Sequence, residues 1–149
     1  MNKLILVRYG EHTDGHLNEI GIKAMVLVAQ KLKPLLENVN VGIVCAQVPR
    51  AIESAHIISE ALNVGPVEHV AELYASEDVP VHLNKAVEAV DAAGGECDVL
   101  VAVVSREYIE TLPNYILQSL GVEKPIETHL ERGEVLLLDY NKKDVTYLR

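Results

Sequence analysis

The chain has 149 residues, a formal net charge of −9 and a hydrophobic fraction of 49%. This length predicts a single domain (residues 1–149), since a chain of this size buries roughly 70% of its unfolded surface. The acidic balance disfavours a nucleic-acid partner, because such surfaces are normally basic. It would also repel a phosphorylated ligand at long range, so an anion pocket would depend on a few local arginines.

The amino terminus and the two cysteines indicate a cytoplasmic protein. The apolar run after Lys3 is too short for a secretory signal or a membrane-spanning helix, so we expect no membrane partner. Cys45 and Cys97 are far apart and lack Cys-x-x-Cys spacing, which predicts reduced thiols and no disulfide. Too few Cys and His residues lie at short spacing for a metal site, and no cofactor is expected.

In chain order, short apolar runs alternate with helical patterns. Leu4–Val7 predicts the first strand, and Asn18 is a suitable N-cap for a helix that extends to about Leu36. Pro34 predicts that this helix ends or kinks near Lys33.

The middle of the chain continues this alternation. Val41–Cys45 predicts the second strand, and Pro49 favours the first turn of the next helix. A third helix is expected from Val81 to Ala93, ended by two glycines. The inward stripe of the helix after Pro49 is Ala51, Ala55, Ile58 and Leu62.

The last third predicts a strand, a helix and a hairpin. Val99–Val104 is a buried strand, and a helix lies between Arg106 and Leu120, with Pro113 expected to kink or divide it. The tail of the chain predicts a hairpin formed by Glu134–Tyr140 and Val145–Leu148. The whole pattern predicts an α/β fold: a three-layer α/β/α sandwich with a largely parallel sheet and helices on both faces.

Three predicted strand ends could form an anion pocket, because open α/β sheets bind ligands beyond the carboxyl ends of their strands. Guanidinium groups there would bind phosphate or carboxylate with help from free N–H groups at helix N-termini. As an alternative, Arg8 and Arg50 pair with nearby carboxylates such as Glu11 or Glu53. The strand ends supply Arg8, Tyr9, Gly10, Arg50, Ser105 and Arg106.

The order of three motifs resembles the histidine phosphatase superfamily, the phosphoglycerate-mutase-like proteins, and the length resembles the short bacterial phosphohistidine phosphatases. Arg8-Tyr9-Gly10-Glu11 resembles the family's Arg-His-Gly-Glu signature, and Leu17-Asn18-Glu19-Ile20-Gly21 resembles its Leu-Thr-x-x-Gly helix start. Arg50-Ala51-Ile52-Glu53-Ser54-Ala55 resembles the helix whose arginine holds the phosphate. The resemblance implies a phosphoglycerate-mutase-like fold and a phosphate site, to which Arg8, Gly10, Glu11 and Arg50 carry over directly.

Two departures from the family pattern fall on its chemistry. Tyr9 stands where the family has its nucleophilic histidine, and Ser105 best matches the second active-site histidine. A phenol has a reference pKa of about 10, against about 6.5 for imidazole, so at pH 7 only about a thousandth is ionised. We therefore expect no catalysis by the family mechanism. The Tyr9 ring could instead plug the former catalytic cavity.

Other residues could replace the missing groups. His12 is placed better than His16 to substitute as nucleophile, although both could be solvated loop residues. Glu72, with Glu77 as second choice, is a weak match to the family's proton donor and could equally be an exposed loop carboxylate. Cys45 at a strand end is expected to be a buried, inert thiol.

Three functions stay open. The favoured hypothesis is a catalytically degenerate member that keeps the pocket of Arg8 and Arg50, with Arg106, and binds phosphate or a phosphorylated small molecule or peptide as a binding or regulatory module. The second is a divergent phosphatase, acting on a phosphomonoester or phosphohistidine through His12, Tyr9 or an activated water. The third is a protein-interaction scaffold without phosphate binding. An aliphatic patch on the carboxy-terminal hairpin leaves a homodimer open.

Overall fold

The computed structural model describes residues 1–149, built from eight strands and four helices. The strands are β1 (Lys3–Arg8), β2 (His12–Thr13), β3 (His16–Leu17), β4 (Val41–Ala46), β5 (Val67–Val70), β6 (Val99–Val104), β7 (Val135–Asp139) and β8 (Asp144–Leu148). The helices are α1 (Glu19–Leu36), α2 (Pro49–Leu62), α3 (Leu83–Gly94) and α4 (Arg106–Ser119), with one 3₁₀ turn at Ala71–Leu73. None of the helices combines the length and apolar character that a membrane span requires.

Six strands form one sheet in the order β5-β4-β6-β1-β7-β8, and β2 pairs with β3 in a separate hairpin. Strands β5, β4, β6 and β1 run parallel, while β7 and β8 add an antiparallel edge. Helices α1 and α2 pack on each other, as do α3 and α4. The predicted α/β fold with a mostly parallel sheet is confirmed.

Burial explains why the strand predictions succeeded. All six residues of β6 are buried, and so are Leu4, Ile5, Leu6 and Val7 in β1. Such continuous apolar runs are typical of strands covered on both faces. The prediction missed β5 and the β2–β3 hairpin. β5 is an edge strand with two exposed polar residues, Glu68 and His69, so it lacks that signature.

Both helices that contain an internal proline continue beyond it. α1 extends past Pro34 to Leu36, as the predicted extent to about Leu36 requires, and it does not end at Lys33. α4 is not divided at Pro113, which is buried beside other apolar residues of that helix. Pro34 lies in the last turn, where few residues follow, and the packing of α4 outweighs the hydrogen bond that Pro113 cannot make.

Candidate anion-binding site

The sheet register brings three strand ends to one level. Arg8 pairs with Val104, and Cys45 pairs with Val103, so β1, β6 and β4 end together. Helix α2 begins three residues after β4, and α4 begins two residues after β6. The strand-end residues and two helix N-termini therefore meet at one edge of the sheet, as expected for a ligand site in such folds.

Arg8 is half-buried at the end of β1 and has no carboxylate partner. Its Nη1 donates a hydrogen bond to the Leu130 carbonyl at 3.2 Å, and none of the ion pairs within 4.0 Å includes it. Burial and the charges of Arg132 and Arg106 lower the pKa of Arg8. Tyr9 and Glu131 act in the opposite direction but have smaller effects, so the positive charge lacks a carboxylate at ion-pair distance and would be stabilised by an anion.

Arg50 occupies the second position of α2 and lies between two tyrosines. Its Cζ is 5.0 Å from the ring centroid of Tyr9 and 5.6 Å from that of Tyr74, and Nη2 donates to the Tyr74 hydroxyl at 3.4 Å. Burial lowers the pKa of Arg50, but interactions with Tyr9 and Tyr74 outweigh it, so the pKa is raised. Its Nε is buried without a hydrogen-bond partner. The rings hold the guanidinium by cation–π contact, and it too has no carboxylate partner.

The nearby carboxylates already have other partners. Glu11 Oε2 lies 3.4 Å from Arg132 Nη1. Glu53 Oε2 lies 3.0 Å from His16 Nδ1, and its Oε1 accepts from the Leu17 amide at 2.9 Å. The alternative in which Glu11 or Glu53 neutralises the two predicted arginines therefore does not occur.

The loop after β1 is held by hydrogen bonds to α2 and by close backbone contact with the start of α1. The Gly10 amide donates to Ser54 Oγ at 3.1 Å, and that hydroxyl donates to the Arg50 carbonyl at 2.7 Å. A Cβ on Gly10 would lie 2.7 Å from the Gly21 carbonyl oxygen. One on Gly21 would lie 2.1 Å from the Glu11 carbonyl oxygen. The two motif glycines therefore let the backbones touch, which places Tyr9 and Glu11.

His12 lies beside Tyr9, within reach of several positive charges. Its ring centroid is 5.7 Å from that of Tyr9, and its Nδ1 is buried without a hydrogen-bond partner. Burial, followed by the charges of Arg50, Arg132 and Arg8, lowers the pKa of His12, against a smaller opposing effect of the Gly10 backbone. The imidazole is therefore held neutral near pH 7.

The two residues after β6 take different positions. Ser105 is fully buried, and its Oγ accepts a hydrogen bond from the Ala75 amide at 3.1 Å, so its side chain offers no exposed surface. Arg106 begins α4 with 52% of its side chain exposed, 3.5 Å from Glu107 and 3.9 Å from Glu110. Of this pair, Arg106 is the one whose charge acts on Arg8.

The predicted proton donors lie in the segment that follows β5. Glu72 and Glu77 are exposed, and neither forms an ion pair. Glu72 is two residues beyond Val70, which pairs with Ala46 at the end of β4, and it lines a surface cavity together with Tyr74. Tyr74, two residues further along, contacts Arg50, and the role of Glu72 as a proton donor stays a prediction.

Sequence reasoning missed Arg132 and Tyr74. Arg132 lies between α4 and β7, a segment without regular structure or periodicity, so nothing in the sequence linked it to Glu11 and Arg8. Tyr74 stands directly after the 3₁₀ turn in the short segment that contains Glu72. Its proximity to Arg50 depends on the pairing of β4 with the missed strand β5.

A sequence-family model matches the part of the chain that carries Arg8 and Arg50. The model of the histidine phosphatase superfamily (branch 1) matches residues 5–77. The resemblance to that superfamily is confirmed. The matched segment contains the arginines at the ends of β1 and the start of α2, together with His12. No curated protein matches the chain in sequence.

Solved structures of several phosphatases share the fold over nearly the whole chain. The protein histidine phosphatase SixA in complex with tungstate has a TM-score of 0.65 at 17% identity, covering 99% of this chain and 94% of that one. A mycobacterial glucosyl-3-phosphoglycerate phosphatase with VO3 has 0.68 at 15%, covering 99% and 97%. A phosphoserine phosphatase mutant from Entamoeba histolytica with phosphoserine has 0.67 at 17%, covering 100% and 96%. At these identities the likeness shows the fold alone.

Proposed function

We propose that the chain binds the phosphate group of a small molecule or peptide at Arg8 and Arg50, with Arg106 and Arg132 at the rim. It would act as a binding or regulatory module without turning the ligand over by the superfamily's phosphohistidine route. One observation carries this proposal: Arg8 and Arg50 are both partly buried, and neither has a carboxylate within 4.0 Å.

Charge supports a dianionic ligand. Two uncompensated guanidinium groups in a partly desolvated site attract an anion much more strongly than exposed, paired ones do. The N-terminus of α2, which carries Arg50, adds a favourable dipole. The rest of the chain is acidic, so the attraction is local to this edge of the sheet.

The structural neighbours support the same class of ligand. Three of them are complexes with tungstate, VO3 and phosphoserine. Tungstate and VO3 are oxyanions, and phosphoserine carries a phosphomonoester. For this chain they motivate the choice of phosphate as the first ligand to test.

Tyr9 supports binding without turnover. The resemblance puts a phenol where the family has the imidazole that becomes phosphorylated. The Tyr9 ring packs between Arg50 and His12, 5.0 Å from the guanidinium carbon and 5.7 Å from the imidazole centroid. We infer that this ring shapes the pocket and takes no part in bond cleavage.

Thermal unfolding with orthophosphate tests the binding. A ligand of the native state at 100 times its Kd stabilises the protein by about 2.7 kcal/mol, which raises the Tm by several degrees. We expect this rise in the wild type and its loss in Arg8→Ala. Arg149→Ala is the matched control, because Arg149 is exposed and paired with Glu134. An unchanged wild-type Tm at high phosphate and tungstate would favour the scaffold hypothesis.

A second function, a divergent phosphatase, is favoured by His12. Its neutral imidazole lies among the site arginines with a buried, unpartnered Nδ1. In that reaction the imidazole attacks phosphorus, the ester P–O bond breaks, the leaving oxygen takes a proton, and water then cleaves the P–N bond. Phosphate release that is lost in His12→Gln, while orthophosphate still raises the Tm, would establish this function.

We place the function in the cytoplasm, with the whole chain acting as one domain. Cys45 and Cys97 are both free thiols, which agrees with a reducing compartment.

A further inference from the structure

Two buried side-chain nitrogen atoms have no hydrogen-bond partner, and both belong to the candidate anion site. They are His12 Nδ1 and Arg50 Nε. Buried polar groups are almost always hydrogen-bonded, because leaving one unsatisfied costs free energy, so each exception calls for a reason. Arg50 has one in the anion that it is proposed to bind. The side chain of His12 has no role in that binding so far.

His12 belongs to the same cluster of side chains as the site arginines. Its ring packs against Tyr9 at 5.7 Å between centroids, and the guanidinium carbon of Arg50 lies 5.0 Å from the other neighbour, the centroid of the Tyr9 ring. One aromatic ring thus separates the imidazole from Arg50. At this spacing a charge on the imidazole interacts with whatever charge the arginines hold.

We propose that His12 takes up a proton when an oxyanion binds at Arg8 and Arg50, so that the site binds anions more tightly as the pH falls. The inference rests on the proposed function, since it needs an anion at these two arginines. A bound anion offsets the positive charges that oppose protonation of the ring, and the imidazolium then adds a third cation to the site. Each event therefore favours the other by the same factor.

The influences on His12 are balanced in a way that an anion can change. Burial and the charges of Arg50, Arg132 and Arg8 lower the pKa of His12, while the Gly10 backbone raises it. Burial is the largest effect and persists when an anion binds, so the coupling is limited to the contribution of the arginine charges. That contribution is the one that the anion cancels.

The carboxylates near the hairpin already have cationic or imidazole partners. Glu11 pairs with Arg132 at 3.4 Å, and Glu53 pairs with His16 at 3.0 Å. The hairpin of β2 and β3 packs on α1 and α2. The titratable and charged groups on the elements around His12 are Arg8, Tyr9 and Glu11 after β1, Asp14 and His16 in the hairpin, Glu19 and Lys23 in α1, Arg50 and Glu53 in α2, and Arg132.

An NMR titration of the histidine rings with sulfate tests the coupling directly. Sulfate stays dianionic throughout, whereas a phosphate group itself takes up a proton near about pH 6. We expect the His12 ring to titrate below about pH 6.5 in chloride, and at least about half a pH unit higher in saturating sulfate at the same ionic strength. Its signal is assigned by its loss in His12→Gln. His16, with 64% of its side chain exposed, is the internal control and should shift much less.

The pH dependence of sulfate affinity gives the reciprocal measurement. Since one unit of pKa shift corresponds to a factor of about ten in Kd, the wild type should bind sulfate about three to ten times more tightly at pH 5.5 than at pH 8. General protonation of the acidic chain also favours anions at low pH. That effect persists in His12→Gln, which should lose most of the difference, and His16→Gln is the matched control that should keep it.

The outcomes separate this inference from the proposed function. Sulfate binding that is lost in Arg8→Ala but leaves the His12 titration unchanged would overturn the proton coupling and keep the anion site. A pH dependence of equal size in the wild type and His12→Gln would do the same. If sulfate binds at neither pH, the proposed function fails, and the coupling fails with it.

Discussion

Arg8 and Arg50 differ from the other arginines of the chain in their surroundings. The sequence contains five arginines, of which three contact carboxylates: Arg106, Arg132 and Arg149. The remaining two, Arg8 and Arg50, are two of the three arginines that the strand-end pattern singled out; the third is Arg106. An arginine that is partly buried without a counter-charge is costly, and this cost is our reason for proposing that an anion binds at these two residues.

Arg50→Lys tests whether the shape of the guanidinium matters beyond its charge. Lysine keeps the charge but loses the planar fork and much of the contact with the Tyr9 and Tyr74 rings. We expect orthophosphate binding to weaken by about 1–2 kcal/mol, roughly tenfold in Kd, when measured by calorimetric titration. Arg149→Lys should leave the Kd unchanged. Equal affinity in Arg50→Lys and the wild type would remove Arg50 from the site.

His12 gives a pH dependence with a defined sign. Its pKa is lowered in the folded protein, so the unfolded chain binds a proton more readily as the pH falls below about 6.5. His12 therefore lowers the free energy of unfolding at acidic pH and has no effect on it above neutral pH. We measure urea unfolding of the wild type and His12→Gln at pH 5.5 and 7.5. The free energy of unfolding should fall less between pH 7.5 and pH 5.5 in the variant than in the wild type. An equal or larger loss in His12→Gln would contradict the lowered pKa.

At the scale of elements, capping and first-turn residues correctly predicted where two helices begin. Asn18 caps α1, its Oδ1 accepting from the Gly21 amide at 3.0 Å, and Pro49 begins α2, both as the sequence indicated. Pro34 and Pro113 do not end or divide their helices, because Pro34 lies in the last turn of α1 and Pro113 is buried among apolar residues of α4. Arg132 could not be foreseen, since its place depends on how an aperiodic segment returns over the sheet edge.

The contact between the β1–β2 loop and α1 makes Gly21 a sensitive position. In Gly21→Ala the new Cβ would lie 2.1 Å from the Glu11 carbonyl oxygen, so the loop must move. We expect a loss of at least about 1–3 kcal/mol in the free energy of unfolding, measured with urea. Gly95→Ala is the matched control: Gly95 has helical φ and ψ of −60° and −29°, and its nearest new contacts would be at 3.6 Å. That control should be neutral or slightly stabilising.

At the scale of the whole molecule, the two cysteine thiols should become accessible to a reagent after different extents of unfolding. Cys45 lies fully buried in β4, and burial raises the pKa of its thiol to about 11. Cys97 is only partly buried. A thiol reagent should therefore label one cysteine quickly in the native protein, and Cys45 at a rate set by global unfolding. Two fast thiols in the folded protein would show that β4 is not central to the stable core.

The fold and the site are connected through the common level at which β1, β4 and β6 end. That level follows from parallel pairing of apolar strands, which the sequence pattern predicts, and it brings Arg8 and the starts of α2 and α4 to one edge. The same geometry is shared with phosphatases that have only about a sixth of their residues in common with this chain. At such identities the shared geometry is that of the fold, and the anion site at this edge of the sheet is our proposal.

Phosphate release from phosphomonoesters and a phosphohistidine peptide, measured on wild type and Arg8→Ala side by side, tests most directly whether anion binding persists without turnover. We expect no release above the Arg8→Ala background, with orthophosphate still raising the wild-type Tm. Release by the wild type that collapses in Arg8→Ala would contradict the proposed binding role and make the site that of a working phosphatase.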